Sequence, residues 1–151
     1  MSRAFSLQPL LEVMQTRSDE ATRRLGQLIA AENDAKSRLE MLEQYRAEYA
    51  ARLNQAITTG LTPLVLRNYQ DFLGRIDEAI GQQRLMVKQS ASDTAAGKQH
   101  WQDQNKRLKA IDTLSIRHDK REQIVEGKRE QKILDEYTTR RFATPRSEDN
   151  D

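Results

Sequence analysis

The stretch TTGLTP, from Thr58 to Pro63, interrupts a chain that otherwise avoids residues that end helices. The segments on both sides are rich in Ala, Leu, Glu, Gln and Arg, which favour helices. Gly60 is typical of the position just past a helix, and Thr62 followed by Pro63 is typical of a cap and a first-turn proline. TTGLTP therefore predicts a tight reversal between two helices.

The composition favours long helices over a compact globule. Only 36% of the 151 residues are hydrophobic, and 32% are charged. A globular domain of this length needs more apolar surface to offset the entropy that is lost on ordering. Few aromatic residues and many strong helix formers indicate helices that meet along a narrow seam.

Several classes of protein are excluded. The chain has no cysteine, which rules out disulfides and thiolate metal sites. The apolar run near the N-terminus is too short for a signal peptide, and Glu12 interrupts it. No segment approaches the roughly eighteen continuous apolar residues of a membrane span. We therefore expect a cytoplasmic protein.

The charges are evenly mixed along the chain. There are 25 Lys and Arg residues against 23 Asp and Glu residues, for a net charge of +2. No block of like charge forms a patch that could follow a phosphate backbone. We therefore expect no nucleic-acid partner.

A seven-residue repeat runs through the first helix. Counting in steps of four and three gives a register that is apolar except at Ser18, Glu32 and Arg46, and this predicts a left-handed coiled coil. The polar exceptions are either tolerated at the edge of a narrow seam or fix the alignment of the helices. The register contains Leu7, Leu11, Met14, Ser18, Ala21, Leu25, Leu28, Glu32, Ala35, Leu39, Leu42, Arg46, Tyr49, Leu53 and Ala56.

The second helix continues the same steps after the reversal. A reversal at Gly60 places Trp101 opposite Ala21 and Leu7 opposite Leu114, where the apolar register of the second helix fades. We therefore expect an all-α fold, a long antiparallel two-helix coiled-coil hairpin. The second register contains Tyr69, Leu73, Ile76, Ile80, Gln83, Val87, Ser90, Thr94, Gly97, Trp101, Gln104, Leu108 and Ile111.

The expected boundaries describe one hairpin over residues 1–151, with a second helix longer than the first. Its unpaired end is about 40 Å long at 1.5 Å per residue, and a lone helix of that length is marginal in water. The predicted segments are helix 1 over 5–58, the turn over 59–62, helix 2 over 63–141 with 115–141 overhanging, and a disordered acidic tail over 142–151.

No constellation of residues supports catalysis. His100 and His118 lie eighteen residues apart on one helix and do not form a pair. The six glycines form no phosphate-binding loop, and two paired helices offer no pocket that shifts the pKa of a carboxylate. We expect a protein that is not an enzyme, with no catalytic residues, no cofactor, no metal and no small-molecule substrate.

Aromatic residues crowd the end of the hairpin near the turn. Tyr45, Tyr49, Tyr69 and Phe72 are four of the eight aromatic side chains in the chain. By helical spacing, one stripe contains Leu42, Tyr45 and Tyr49, and another contains Phe72, Ile76, Ala79 and Gln83. These stripes either widen the core near the turn or form an exposed apolar ridge for a partner.

A basic stripe lies on the predicted overhang. Arg117, Arg121, Lys128 and Lys132 share one side of the helix, whereas Glu122, Glu126 and Glu130 line the opposite side. Like charges four residues apart weaken a free helix. The overhang is either a solvated charged extension or a binding element for an acidic partner.

The ordered set of motifs resembles the FliJ family of flagellar export proteins over nearly the whole chain except the tail. It comprises FSLQPLLE near the N-terminus, the Tyr45–Tyr49 pair, YQDFLGRIDEAIGQQ from Tyr69, the lone Trp101, and EQKILDEY from Glu130. The resemblance implies an antiparallel hairpin similar to the stalk subunit of rotary ATPases. It also implies a component of the type III export apparatus, peripheral to the cytoplasmic side of the membrane through its partners.

The resemblance further implies three partners and two binding sites. The partners are the hexameric FliI-like export ATPase, the export gate protein FlhA, and export chaperones. Gate binding is expected at Leu42, Tyr45, Tyr49, Phe72, Ile76, Ala79 and Gln83. ATPase binding is expected at Arg117, Arg121, Lys128, Gln131, Lys132, Asp135 and Glu136. The alternatives are the equivalent stalk of a virulence type III secretion system and a structural coiled coil that only dimerises.

Overall fold

The computed structural model describes residues 4–143 as two α-helices joined by a short loop. Helix α1 spans Gln8–Thr59, with 52 residues, and helix α2 spans Pro63–Ala143, with 81 residues. No strand is present within residues 4–143. The all-α helical hairpin with a longer second helix is confirmed.

The loop ends α1 and starts α2 through Gly60 and Thr62. Gly60 has a φ of 99°, in the left-handed region where a side chain is strained. The backbone N–H of Val65 donates to the Thr62 hydroxyl at 3.3 Å, and that of Leu66 donates to the Thr62 carbonyl at 3.1 Å. Thr62 therefore caps α2 and Pro63 occupies its first turn, where no N–H is needed.

Helix α1 begins at Gln8, three residues later than the predicted start at Phe5. The carbonyl of Phe5 would need an N–H from Pro9, and proline has none. It accepts a tighter turn bond from the N–H of Gln8 at 3.1 Å instead. The first regular bond runs from Leu11 to the carbonyl of Leu7, at 2.9 Å.

The described residues fall into two compact units, and the first unit spans Arg17–Gln104. Its core is one side chain wide, and the predicted seam positions within Arg17–Gln104 are all partly or fully buried except Arg46. The buried apolar residues are Ala21, Ala35, Ile76 and Ile80, and the buried polar residues are Ser18, Gln83 and Gln104.

Hydrogen bonds across this seam set the register of the two helices. Gln83 Nε2 donates to the carbonyl of Ala35 at 3.0 Å. Trp101 Nε1 donates to the hydroxyl of Thr22 at 2.9 Å, one residue from the expected partner Ala21. At Gly97 the helices are so close that a Cβ would collide with a side-chain carbon of Leu28.

The polar seam position Arg46 forms an ion pair across the hairpin. Its guanidinium donates from Nε to one oxygen of Asp77 and from Nη2 to the other, the latter at 3.3 Å. Ser18 is buried, whereas Glu32 pairs within α1 with Lys36 at 3.9 Å. Of the three polar exceptions, Arg46 therefore fits the alignment role, because its two-point contact specifies one partner.

The second unit contains residues 4–16 and the part of α2 from Asn105 onward. The ring of Phe5 lies 5.4 Å from that of His118, and the side chains of Ser115, His118 and Glu122 are half-buried. The start of the predicted overhang over 115–141 therefore packs against Phe5 and is not unpaired. The spacing of buried positions along α2 continues there, but through polar residues. Residues 127–142 are exposed.

The predicted tail over 142–151 differs from the structure at its start. Phe142 and Ala143 belong to α2, which ends two residues beyond the predicted Arg141. The remainder of the predicted tail lies outside the described residues.

Acid should weaken the hairpin through Asp77. The hydrogen bond from Arg46 holds the pKa of this carboxyl below its ordinary value. A group whose pKa is lowered by folding stabilises the fold above its unfolded pKa, about 3.9, and loses that effect as the pH falls through the folded pKa. The small difference in melting temperature between wild type and Asp77→Asn at pH 6 should therefore shrink below about pH 4.

Asp93→Asn provides the control, because Asp93 lies on α2 and accepts from the neutral amide of Gln89 at 2.9 Å. Circular dichroism melts from pH 6 to pH 3 measure the effect. A difference between wild type and Asp77→Asn that stays constant down to pH 3 would contradict the role of the ion pair.

Candidate functional site

The residues expected to bind the gate divide between surface and core. Tyr45 is 56% exposed and Phe72 is 43% exposed. Leu42, Tyr49 and Ala79 are half-buried. Ile76 and Gln83 are each 8% exposed, and the side-chain amide of Gln83 donates a hydrogen bond to the α1 backbone. The side chains that a partner reaches first are therefore Tyr45 and Phe72.

Three aromatic rings pack in a row beneath this surface. The centroid of the Tyr49 ring lies 5.1 Å from that of Tyr69 and 4.3 Å from that of Phe72. Both contacts are tilted, a common geometry for aromatic pairs. Tyr49 thereby connects the seam to Phe72. The ring of Phe72 packs on Tyr49 and is partly exposed to solvent.

Met41 belongs to the same surface, although the sequence analysis did not select it. It is 56% exposed, one helical turn before Tyr45, and both side chains line a notch of about 230 Å³ with Gln44 and Glu48. The spacing of four residues was the available signal. We define the aromatic surface as Met41, Tyr45 and Phe72, since these are the exposed members.

One charged pair borders the aromatic surface, and another lies on the other flank of the seam. Arg38 lies 3.2 Å from Asp34 one turn away on α1, on the side of Tyr45, whereas Arg84 lies 3.5 Å from Glu43 across the hairpin, on the flank of the Arg46–Asp77 pair. Their side chains are about half exposed or more, so the pairs remain in water. An apolar centre with a charged rim is the usual anatomy of a protein interface.

The residues expected to bind the ATPase are all exposed. They are Arg117, Arg121, Lys128, Gln131, Lys132, Asp135 and Glu136. Asp135 is partly engaged, because its carboxylate accepts from Gln131 Nε2 at 3.0 Å. On the opposite side, Glu126 pairs with Arg129 at 3.7 Å. We call the seven residues the overhang surface.

Exposed apolar side chains lie on the same part of α2 as the overhang surface, and sequence reasoning missed most of them. Ile124 and Val125 border the four cations by helical spacing and are 57% and 41% exposed. Ile133, Leu134 and Tyr137 are 66%, 60% and 63% exposed. Tyr137 lies three and four residues after the other two, so the three share one side of α2. This side is the one that contains Glu122, Glu126 and Glu130, so Ile124 and Val125 are the residues that offer apolar contacts beside the cations.

A groove at the other end of the first unit contains titratable residues. It has a volume of about 420 Å³ and is lined by Arg17, Glu20, Ala21, Arg24, His100 and Gln104. His100 and His118 stay on separate parts of α2, in different units. Over residues 4–143, no three His, Cys, Asp or Glu side chains are grouped so that they could hold a metal.

Comparison with known proteins decides the family. A family model described as "Flagellar FliJ protein" matches residues 2–147. The chain belongs to the FliJ family. Two curated relatives described as "Flagellar FliJ protein", from Salmonella typhi and Escherichia coli strain K12, are each 29% identical over 140 residues, or 93% of this chain and 95% of theirs.

Membership of the FliJ family confirms the resemblance carried by the motifs from FSLQPLLE to EQKILDEY. It identifies the chain as a component of flagellar export. Within the described part of the chain, neither helix contains a window long and apolar enough to cross a membrane.

Because some of the residues expected to bind the gate are exposed and others are buried, substitutions at these residues should lower the free energy of unfolding by different amounts. Ile76→Ala should lower the free energy of unfolding by about 2–5 kcal/mol, because it leaves a cavity in the seam. Tyr45→Ala should change it by only about 0.5 kcal/mol, because the side chain is mostly in water. Urea unfolding followed by circular dichroism measures both. Equal losses from the two substitutions would place Tyr45 in the core.

Proposed function

We propose that this chain binds and stimulates the hexameric flagellar export ATPase, links it to the export gate protein, and escorts export chaperones on the cytoplasmic side of the membrane. The observation that carries this proposal is the FliJ family match over almost the whole chain. The aromatic surface and the overhang surface support it, because both expose side chains that the fold does not need.

The overhang surface is suited to an acidic partner. Four cations on one side of α2 attract acidic groups over several ångströms, and this attraction falls as salt screens it. Ile124 and Val125, which border these cations, then supply apolar area at short range. Binding to an ATPase ring by this surface should therefore combine a salt-sensitive approach with a less salt-sensitive contact.

The aromatic surface is suited to an apolar cleft in the gate protein. Tyr45 and Phe72 are large, rigid side chains with few rotatable bonds, so holding them in an interface loses little entropy. Met41 adds an adaptable contact beside them. The buried Ile76 and Gln83 act beneath this surface by fixing the position of α2 against α1.

The remaining parts of the proposal rest on the family. The escort of chaperones follows from the FliJ resemblance alone, and no residue is assigned to it. The match to a flagellar family favours the flagellar system over the virulence stalk. A structural coiled coil that only dimerises would bury exposed apolar side chains of α2 against a second copy and would leave the hydrolysis of an export ATPase unchanged.

Reversal of charge on the overhang surface tests the ATPase contact. Arg121→Glu with Lys128→Glu should reduce stimulation of a flagellar export ATPase at least tenfold and make the remaining stimulation less sensitive to salt, because both side chains are exposed cations whose attraction salt screens. Lys98→Glu with Lys106→Glu is the matched control, because it changes the net charge equally at exposed positions of α2. The assay is ATP hydrolysis over a salt series. Equal loss from both pairs would show that only net charge matters.

Truncation of the aromatic surface tests the gate contact. Tyr45→Ala with Phe72→Ala should weaken binding to the purified gate protein at least tenfold, because large aromatic anchors carry much of an interface energy. Ile29→Ala with Met86→Ala is the control, because these side chains are 44% and 53% exposed elsewhere on the unit. Calorimetry measures both. If the aromatic variant binds like wild type, the gate contact lies elsewhere.

A further inference from the structure

The loop end of the hairpin lacks acidic residues. Between Glu48 and Asp71 the chain contains no Asp or Glu, although charged residues make up 32% of the whole. The only charged side chains in this interval are Arg52 and Arg67. The end of the hairpin is therefore positive, in a chain whose charges are otherwise balanced.

Apolar side chains at the same end point into solvent. Ile57 is 54% exposed in the last turn of α1. Leu64 is 69% exposed and Val65 is 39% exposed in the first turn of α2. These three residues flank the loop that contains Gly60, and we call them the apolar tip. It shares no residue with the aromatic surface.

The threonine hydroxyls at the tip already have partners within the chain. The hydroxyl of Thr58 donates to the carbonyl of Gln55 at 2.7 Å, and that of Thr59 donates to the carbonyl of Ala56 at 3.1 Å. The hydroxyl of Thr62 accepts from the N–H of Val65. Dehydration of the tip therefore leaves these hydroxyls satisfied, which lowers the cost of entering an apolar medium.

The arginines lie at a depth that matches lipid phosphates. Arg52 precedes the end of α1 at Thr59 by seven residues, and Arg67 follows the start of α2 at Pro63 by four, so they lie about 10 and 6 Å behind the tip at 1.5 Å per residue. Apolar faces of interfacial proteins enter a bilayer to about 5–10 Å. The guanidinium groups would then reach the headgroup layer.

We propose that the apolar tip docks on an anionic lipid surface. Ile57, Leu64 and Val65 enter the boundary between headgroups and acyl chains, while Arg52 and Arg67 contact the phosphates. A protein interface has about one hydrogen bond per 100–200 Å². The tip offers few groups for such bonds, because its threonine hydroxyls have partners within the chain and it has no carboxylate. A surface that is apolar and positively charged and forms few directed hydrogen bonds favours lipid over a protein partner. With two cations and three apolar side chains the binding is weak, reversible and sensitive to salt.

Vesicle sedimentation tests the proposal with the full chain. Wild type should bind vesicles of phosphatidylglycerol and phosphatidylcholine in equal parts, and should bind phosphatidylcholine alone at least tenfold more weakly. Leu64→Gln with Val65→Gln should reduce binding at least tenfold. Arg67→Gln should reduce it about fivefold at low salt, the factor expected for one cation near an anionic membrane.

A matched control occurs elsewhere on α2. Leu85→Gln with Met86→Gln also replaces two adjacent apolar residues, 68% and 53% exposed, and should leave vesicle binding unchanged. A second readout needs no polar substitution. Because the chain has no cysteine, Leu64→Cys and Leu85→Cys each accept one environment-sensitive dye, and only the dye at position 64 should shift its emission with anionic vesicles.

Three results would overturn the proposal. The first is a wild-type chain that stays in solution with anionic vesicles at low salt. The second is an equal response of the position 64 and position 85 dyes. The third is a Leu64→Gln, Val65→Gln variant that loses binding to the purified gate protein while wild type binds no vesicle, which would assign the tip to a protein partner.

Discussion

The seam between α1 and α2 is one side chain wide, and the rest of the structure depends on this constraint. In the first unit, four apolar residues are buried, and three polar residues are buried beside them. Apolar burial is undirected, so it holds two helices together without specifying which residues face each other. The directed bonds from Gln83 to Ala35, from Trp101 to Thr22 and from Arg46 to Asp77 supply that specification.

A seam this narrow leaves most side chains on the surface, and this decides the kind of function that the chain supports. No described residue is completely enclosed. Catalysis needs groups held in a site that excludes water, whereas binding needs only side chains displayed on a rigid support. Long helices display them at fixed spacing. The packed rings of Tyr49 and Phe72 show how a residue of the seam holds an exposed residue in place.

The fold was predictable because its signals are local or periodic. Gly60, Thr62 and Pro63 fixed the reversal, and the seven-residue register placed almost every buried position. The start of α1 was wrong by three residues, because the missing N–H of Pro9 acts on a carbonyl four residues earlier. The partnered start of the overhang was missed for another reason. Ser115, His118 and Glu122 are polar, and a hydrophobic pattern does not register polar residues as seam positions.

Residues that bind a partner are harder to predict on a hairpin than residues that hold it together. Ile76 and Tyr45 both belong to apolar stripes near the turn, yet one is 8% and the other 56% exposed. The difference comes from a rotation of one position around a helix, which composition and motif do not report and which only the seven-residue register indicates, because it contains Ile76 but not Tyr45. A substitution that tests partner binding at a seam residue would therefore also change the stability of the hairpin. On this narrow hairpin, only side chains that the fold leaves in water, such as Tyr45 and Lys128, can contribute to partner binding without also contributing to stability.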